Sequence, residues 1–379
     1  MIAIQTQEPM TRDPHGLFSP LTSTTTTKLP FKTARLSVVH EEVPVAGAPP
    51  IIDFSPFYST DKAQKQVLVD QVRRACLEKG FFQITNHGVS EELQDAIFQQ
   101  SKDFFSLPVE EKEKLDKTHH PNKLGYECLR SQNFEGKTAG DLKEGFFIGR
   151  KLAPTHPYVL QNRIHCGQNV YPQQVPNPTQ FQQVVDEYHA TMTRLAENIL
   201  RVIALTLNLS EDFFQTFCTE PAAVLRLLHY PPQAPDASAD ERGIGAHTDF
   251  GSVTLLLQDE VGGLQVFDAE TKEWIDVKPT KGAFVVNLGN VMMRWSNDRY
   301  VSNLHRVINK SGRERYSVPF FYSGNPDFVI DCLPGCRDEM GKAKYEPIKV
   351  QDWIMGRHTN SFREAKGLEE LSALAKVAA

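Results

Sequence analysis

The sequence has no apolar run near the ~20 residues that span a bilayer, no block of basic residues and no CxxC pair of cysteines. The first absence argues against a membrane protein. The second absence, together with a net charge of −6, argues against nucleic-acid binding. No charged-then-apolar signal begins the chain, so we expect a cytoplasmic location. The six scattered cysteines are then most simply free thiols, although a disulfide between Cys332 and Cys336 stays open.

Residues 1–47 differ in composition from the rest of the chain. They contain an unbroken hydroxyl tract from Thr22 to Thr27, with Pro20 and Pro30 on either side. Such a stretch buries little apolar surface, so we predict a flexible tail. Its few acidic residues leave an organelle transit peptide open, but no arginine-rich amphipathic helix is evident.

A His-x-Asp motif in the second half of the chain carries the strongest chemical signal. His247-Thr248-Asp249 is followed 56 residues after Asp249 by His305, and Arg315-Tyr316-Ser317 begins ten residues after His305. Two imidazoles and one carboxylate can occupy one face of an octahedral iron(II) and leave the opposite face open for oxygen and an organic co-substrate. An arginine can bind a carboxylate bidentately beside such a metal. We therefore interpret these residues as an iron centre with an adjoining carboxylate site.

Short matches to the same motifs occur elsewhere in the chain. Chance alone gives about 1.5 His-x-Asp/Glu matches at this composition, and His40-Glu41-Glu42 is one. Arg35-Leu36-Ser37 and Arg294-Trp295-Ser296 repeat the Arg-x-Ser pattern. We take all three as accidents, because the first and second lie in a Pro- and Thr-rich stretch and the third precedes His305. The motif residues of the preceding paragraph differ from these chance matches in their order, their spacing and their position among predicted strands.

The chain around the motif is a series of short apolar segments separated by Gly, Asn, Asp or Lys turns. Segments rich in β-branched and aromatic residues with such spacing are typical of a sandwich or barrel, and a double-sheet jelly roll suits the pattern. On a strand, His247 and Asp249 point to the same face. The predicted strands include Val224–Leu228, Val253–Leu257, Gly263–Phe267, Trp274–Val277, Ala283–Asn287, Leu304–Ile308 and Tyr316–Tyr322.

Helices are predicted before this series of strands. Asp61 can cap a helix towards Lys79, with Val67, Val72, Cys76 and Leu77 on its inner face. Ser90 starts a second helix, and a third spans 180–207. We therefore predict an α+β protein, a double-stranded β-helix (jelly-roll) core with flanking N-terminal helices. The expected order is a flexible tail (1–47), a mainly helical region (48–215), the jelly-roll core (216–335) and a C-terminal helical segment (336–379).

Over roughly residues 48–360 the chain resembles iron(II)- and 2-oxoglutarate-dependent dioxygenases of the isopenicillin-N-synthase-like family. It is most similar to their fungal and microbial thymine-7-hydroxylase-like branch. The matching motifs are Ile51–Ser55, Gly80–Val89, Leu225–Pro232, Gly245–Ser252, Gly262–Val266, Asn303–Val307 and Arg315–Ser317. The resemblance implies an enzyme that uses Fe²⁺, 2-oxoglutarate and O2, with ascorbate as a conceivable stimulant.

The resemblance also implies the roles of individual residues. His247, Asp249 and His305 would be the iron ligands, and Arg315 would pair with the distal carboxylate of 2-oxoglutarate, assisted by Ser317 and Tyr230. The chain departs from the family pattern at Leu228, where many plant members carry Asn. It departs again at Asn290, where the family frequently has Asp.

Substrate identity does not follow from the resemblance. We expect a substrate pocket walled by uncharged side chains, namely Phe146, Phe250, Phe321 and Leu228. Apolar and aromatic walls of this kind suit a free small molecule, such as a secondary metabolite. Hydroxylation, desaturation and ring formation stay open, as does the oligomeric state. Two other readings remain: an isopenicillin-N-synthase-like oxidase that does not use 2-oxoglutarate, and a catalytically silent small-molecule receptor on the same fold.

Overall fold

The computed structural model describes residues 47–134, 140–163, 165–233 and 241–363, with side chains described as far as residue 357. The predicted tail therefore lies outside the described residues, apart from Gly47. The helices are α1 (Lys62–Glu78), α2 (Glu91–Phe105), α3 (Val109–Glu113), α4 (Pro157–Leu160), α5 (Pro178–Thr206), α6 (Asn290–Trp295) and α7 (Val350–Arg363). Short 3₁₀ turns cover Ser55–Tyr58 and Lys117–His119. None of the helices in the described ranges is long and apolar enough to cross a membrane.

The helix starts follow from capping side chains. The Asp61 carboxylate accepts hydrogen bonds from two amides of the first turn of α1, and Ser90 caps α2 in the same way. The predicted inner face of α1 was half wrong, because Val67 and Leu77 are exposed. Successive residues turn by about 100°, so both lie outside the buried stripe of Leu68, Val69, Val72, Ala75 and Cys76.

The strands of the described residues are β1 (Ile51–Asp53), β2 (Phe81–Thr85), β3 (Gly125–Glu127), β4 (Glu144–Gly149), β5 (Ala222–Tyr230), β6 (Ile244–His247), β7 (Val253–Gln258), β8 (Leu264–Asp268), β9 (Glu273–Asp276), β10 (Phe284–Leu288), β11 (His305–Val307), β12 (Arg315–Gly324), β13 (Val329–Ile330) and β14 (Ile348–Lys349).

Two sheets form the core. The larger has eight strands in the order β1-β2-β10-β7-β12-β5-β4-β3, and the smaller has four in the order β6-β11-β8-β9. This double-sheet arrangement confirms the predicted jelly roll. A two-stranded sheet pairs β13 with β14.

The large sheet contains strands from both sides of the boundary that was expected between residues 215 and 216. Strands β1 to β4 come from the first region, yet β2 and β4 pair directly with β10 and β5 of the second. Strand β4 is an inner strand of the large sheet and lies between β3 and β5. Both regions therefore contribute to one continuous core.

Alternation along β5 separates two environments. Leu225 and Leu227 belong to the core cluster that includes the buried stripe of α5. Arg226, Leu228 and Tyr230 point the other way and line a cavity between the two sheets. Residues at i and i+2 of a strand share a face, so this one strand packs against helices on one side and shapes the cavity on the other.

Candidate active site

His247, Asp249 and His305 lie together at the cavity. Their candidate ligand atoms are all within 4.8 Å of one another. The Asp249 Oδ1 atom is 3.8 Å from His247 Nε2 and 3.7 Å from His305 Nε2. The pairing of β6 with β11 sets this geometry, because His247 and His305 are directly opposed in the register. Strand β6 ends at His247, so Asp249 lies just beyond the strand rather than on it.

Hydrogen bonds fix which atoms of the three residues face one another. His247 Nδ1 lies 2.9 Å from the Gly245 carbonyl oxygen, and His305 Nδ1 lies 3.2 Å from that of Asn303. A carbonyl only accepts, so each Nδ1 carries the proton and each Nε2 keeps a free lone pair. Asp249 Oδ2 accepts from Thr254 (2.6 Å) and Asn287 (2.7 Å), which leaves Oδ1 for a metal.

The protonation states suit metal binding. Burial, with the neighbouring His305, lowers the pKa of His247 to about 3, so its ring is neutral near pH 7. Burial alone would raise the pKa of Asp249, but the two imidazoles and the two hydrogen bonds lower it overall. Two neutral imidazole nitrogens and one carboxylate oxygen are the donor set of facial-triad iron(II) sites. The residues therefore fit ferrous iron.

Arg315 is a buried cation with unused hydrogen-bonding capacity. Its side chain is fully buried, and its Nε donates to the Gly262 carbonyl oxygen. A second nitrogen, Nη2, lies 3.4 Å from Gln258 Oε1, while Nη1 has no partner among the described residues. Both of these acceptors are neutral oxygens. Asp259 interacts with this guanidinium electrostatically, but none of the described hydrogen bonds of Arg315 goes to a carboxylate. Leaving donors of a buried guanidinium unpaired is costly, so this group fits the carboxylate of a bound molecule.

Tyr230 and Ser317 lie next to Arg315 on the paired strands β5 and β12. Tyr230 is the register partner of Arg315 across β5 and β12, and its ring centroid lies 4.6 Å from the guanidinium carbon. Ser317 follows at the i+2 position, is buried, and lines the same cavity. The three side chains thus form one end of the cavity.

The expected cavity walls need one correction. Leu228, Phe250 and Phe321 line the cavity, but Phe146 does not. Its ring packs 4.4 Å from that of Phe104, on the helix side of the sheet. The reason is alternation along β4, which turns the adjacent Phe147 into the cavity instead.

Other cavity residues were not anticipated from the sequence. Phe134 stacks on the His247 ring with centroids 4.6 Å apart and planes 12° from parallel. Gln132 and Arg226 also line the cavity. A sequence signal was available for Asn287, because it lies three residues before Asn290, where the chain departs from the family pattern. A Cβ on Gly289 would lie 2.2 Å from the Gly251 carbonyl oxygen, so glycine lets β10 approach the loop that holds Asp249.

The C-terminal helix completes the cavity. Ile354 of α7 lines it, and the Trp353 indole donates a hydrogen bond of 2.9 Å to the carbonyl oxygen of Phe250. Phe250 directly follows Asp249 in the chain. Helix α7 is therefore attached to the loop that carries the carboxylate.

Comparison with known proteins agrees with this geometry. Residues 49–174 match the family described as "non-haem dioxygenase in morphine synthesis N-terminal", and residues 221–324 match the "2OG-Fe(II) oxygenase superfamily". The chain is 51% identical to the 2-oxoglutarate-Fe(II) type oxidoreductase hxnY of Emericella nidulans, over 87% of this chain and 95% of that protein. It is 39% identical to the 2-oxoglutarate-dependent dioxygenase citB of Monascus ruber, over 83% and 95% of the two chains.

A solved structure is also similar. A full-length Neurospora crassa protein, crystallised in complex with alpha-KG and 5-formyluracil, superposes with a TM-score of 0.74 at 29% identity, covering 83% of this chain and 97% of that one. The residues matched by the two family models include both the large-sheet strands of the first region and the strands that hold the candidate metal site. The chain therefore belongs to the non-haem iron(II)- and 2-oxoglutarate-dependent dioxygenases, which use Fe²⁺, 2-oxoglutarate and O2.

Proposed function

We propose that this dioxygenase hydroxylates, desaturates or cyclises a free small organic molecule, a secondary metabolite, with release of succinate and CO2. The proposal rests on one observation: the cluster of His247, Asp249 and His305 borders a cavity. The same cavity is lined by Arg315, whose guanidinium uses only part of its hydrogen-bonding capacity. In hydroxylation, one oxygen atom of O2 enters the substrate and the other enters succinate.

Each residue of the site has a distinct task in this proposal. His247, Asp249 and His305 hold the iron through Nε2, Oδ1 and Nε2. Arg315 pairs with the distal carboxylate of 2-oxoglutarate, with Ser317 and Tyr230 as hydrogen-bond partners. Bound iron, with 2-oxoglutarate and O2 as co-substrates, would supply the oxidising chemistry that no side chain provides. The protein orients the reactants in the cavity between the two sheets.

The walls support a small-molecule substrate. Leu228, Phe250 and Phe321 are apolar, and the cavity lies between two sheets rather than along an open groove. Small-molecule sites are typically concave, largely apolar and provided with a few polar groups. A polymer such as a nucleic acid would need an open, basic surface instead. The proposed partner is thus a metabolite, and neither a nucleic acid nor a membrane is expected.

The test is formation of succinate from 2-oxoglutarate by the purified full-length protein, supplied with Fe²⁺ and a fractionated metabolite extract. We expect succinate to rise with one fraction, together with a product whose mass differs by one oxygen atom or two hydrogen atoms. Asp249→Ala should abolish the signal. The matched control is Asp276→Ala, since Asp276 is an exposed carboxylate on β9.

Three outcomes would contradict the proposal. Product formation without 2-oxoglutarate would point to the oxidase alternative. Metabolite binding without any turnover would point to the receptor alternative. Efficient oxidation of a peptide or an oligonucleotide, with none of any metabolite, would overturn the small-molecule assignment.

A further inference from the structure

Asp141, just before β4, is a buried acid whose side chain bonds to the backbone of another segment. Its Oδ1 accepts a hydrogen bond of 3.0 Å from the Gly245 amide, and its Oδ2 has no partner among the described residues. Burial raises the pKa of Asp141 to about 6, and the charge of Glu127 acts in the same direction. Lys143, Arg226 and the hydrogen bond act in the opposite direction. Burying a partly unpaired carboxyl group is costly, so packing alone does not account for an acid here.

The backbone that Asp141 holds belongs to β6, the edge strand of the small sheet. In the described sheets β6 pairs with β11 alone, and the Gly245 N–H donates to Asp141 rather than to that strand. A second hydrogen bond joins the same two segments, since the Leu142 amide donates to the Arg242 carbonyl oxygen at 2.8 Å. Residues 141–142 lead directly into β4 of the large sheet. The two bonds therefore connect the large sheet to the start of β6.

Gly245 also orients one of the candidate metal ligands. Its carbonyl oxygen lies 2.9 Å from His247 Nδ1. A carbonyl that accepts from one ring nitrogen fixes the orientation of the imidazole and leaves the other nitrogen for a metal. Glycine has no Cβ and restricts its own backbone least, so the position of this carbonyl depends on the contacts that hold Gly245. The connected series therefore runs from Asp141 through the Gly245 backbone to His247.

We propose that Asp141 is a positioning residue for the iron site: it holds the Gly245 amide and thereby sets the carbonyl that orients the His247 imidazole. This inference rests on the proposed role of His247 as an iron ligand. His305 is supported separately, because its Nδ1 lies 3.2 Å from the Asn303 carbonyl oxygen and no described hydrogen bond of Asp141 goes to β11. Loss of the bond to Gly245 should lower metal affinity by about tenfold, the lower end of the range for residues that support a ligand directly.

The charge of Asp141 is a separate contribution that the test has to remove. Its negative charge acts favourably on Lys143 and Arg226 and unfavourably on Glu127. Asp141→Asn and Asp141→Leu both delete the charge, and both replacements have nearly the shape of aspartate. Only asparagine keeps an oxygen that can accept from the Gly245 amide. The difference between the two variants therefore measures the hydrogen bond alone.

Calorimetric titration of the full-length protein with Mn²⁺, without 2-oxoglutarate, compares these variants with the wild type. We expect Asp141→Asn to bind Mn²⁺ about tenfold more tightly than Asp141→Leu. The matched control is Asp259→Leu. Asp259 is a half-buried acid whose Oδ2 accepts from the Tyr316 amide at 2.6 Å, on the strand that carries Arg315 and none of the three candidate ligands. The control should keep the wild-type affinity for Mn²⁺.

Proton NMR of the Co²⁺-loaded protein separates positioning from a general loosening of the fold. Bound Co²⁺ moves the Nδ1–H signals of its histidine ligands away from the other protein signals, so His247 and His305 each give one resolved line. In Asp141→Leu one of the two lines should shift and exchange faster with water, while the other keeps its place. Asp141→Asn should show both lines as in the wild type. A merely structural role would change both lines together.

The inference is overturned if Asp141→Asn and Asp141→Leu bind metal equally well, if Asp259→Leu loses as much affinity, or if both NMR lines change together. Should Asp141→Leu not fold, Asp141→Ala takes its place, because it removes the acceptor without adding bulk. Failure of both to fold, with Asp141→Asn folded, assigns Asp141 to stability and also overturns the inference. Titration of the wild type comes first, and absence of metal binding there contradicts the proposed function itself rather than the role of Asp141.

Discussion

The two faces of the large sheet are made from alternate residues of the same strands, yet they differ in kind. On the helix side, Leu225 and Phe320 are fully buried among apolar neighbours. On the cavity side, Arg226, Tyr230 and Arg315 bring polar side chains to the lining of the cavity. The side chains on the helix side are closely packed, whereas the polar side chains on the cavity side use only part of their hydrogen-bonding capacity. Because successive side chains of a strand point to opposite faces, one strand can stabilise the core with one set of residues and line the candidate site with the other.

Two adjacent phenylalanines of β4 give the largest expected contrast. Phe146→Ala removes a ring packed between Phe104 and Phe181, so it should lower the free energy of unfolding by about 3–5 kcal/mol. Phe147→Ala should cost less, because its ring borders the cavity, but it should change which substrates are accepted. Denaturant unfolding and substrate competition measure the two effects. Equal destabilisation by both variants, with unchanged substrate choice, would mean that the faces are not independent.

The next largest effect is expected at the end of the cavity that contains Arg315. Arg315→Leu removes the buried guanidinium proposed to hold 2-oxoglutarate, and we expect a loss of roughly 2–5 kcal/mol in its binding. Iron should still bind, since Arg315 contacts none of the three candidate ligands in the described hydrogen bonds. Arg313→Leu is the control, because Arg313 is exposed and pairs with Glu260 at the surface. An unchanged 2-oxoglutarate requirement in Arg315→Leu would assign the co-substrate carboxylate to another cation.

The smallest effect is expected from removing a hydrogen bond that supports the candidate metal site. Asn287→Ala deletes one of two donors to Asp249 Oδ2. Removing such a supporting hydrogen bond typically weakens metal affinity by about 10–100-fold, which a metal titration measures. Asn290→Ala serves as control, because Asn290 bonds Thr248 rather than the carboxylate. If both asparagine variants bind metal equally well, the support of Asp249 does not come from Asn287.

The sequence predicted the fold class and the strands around the candidate site because their signals are local. Short apolar segments bounded by turn residues mark β5, β7 and β12, and side-chain caps mark the starts of α1 and α2. The cluster of His247, Asp249 and His305 was predicted from the order and spacing of these residues, although Asp249 lies just beyond the end of β6. His229, the neighbour of Tyr230 on β5, does not line the cavity, and its Nδ1 lies 2.8 Å from Glu144 Oε1.

The remaining parts of the site depend on contacts between distant segments. Every residue of β4 is buried, so its pattern does not reveal that Phe146 faces the helices and Phe147 the cavity. Thr254 and Asn287 reach Asp249 from two different strands. Gln132 and Phe134 come from a loop with no strand periodicity. Such placements follow from sheet order and register, which a single sequence does not state.

The alternation along β5 has a practical consequence for altering the substrate range. Its cavity-facing positions, Val224, Arg226 and Leu228, can be varied in combination while Leu225 and Leu227 keep their packing against α5. A library at those three positions would sample charge, length and shape along one wall without entering the helix-side core. Because the same wall ends at Tyr230, such a library stops one position short of the proposed co-substrate site, so selected variants should share one oxidant and differ in what they oxidise.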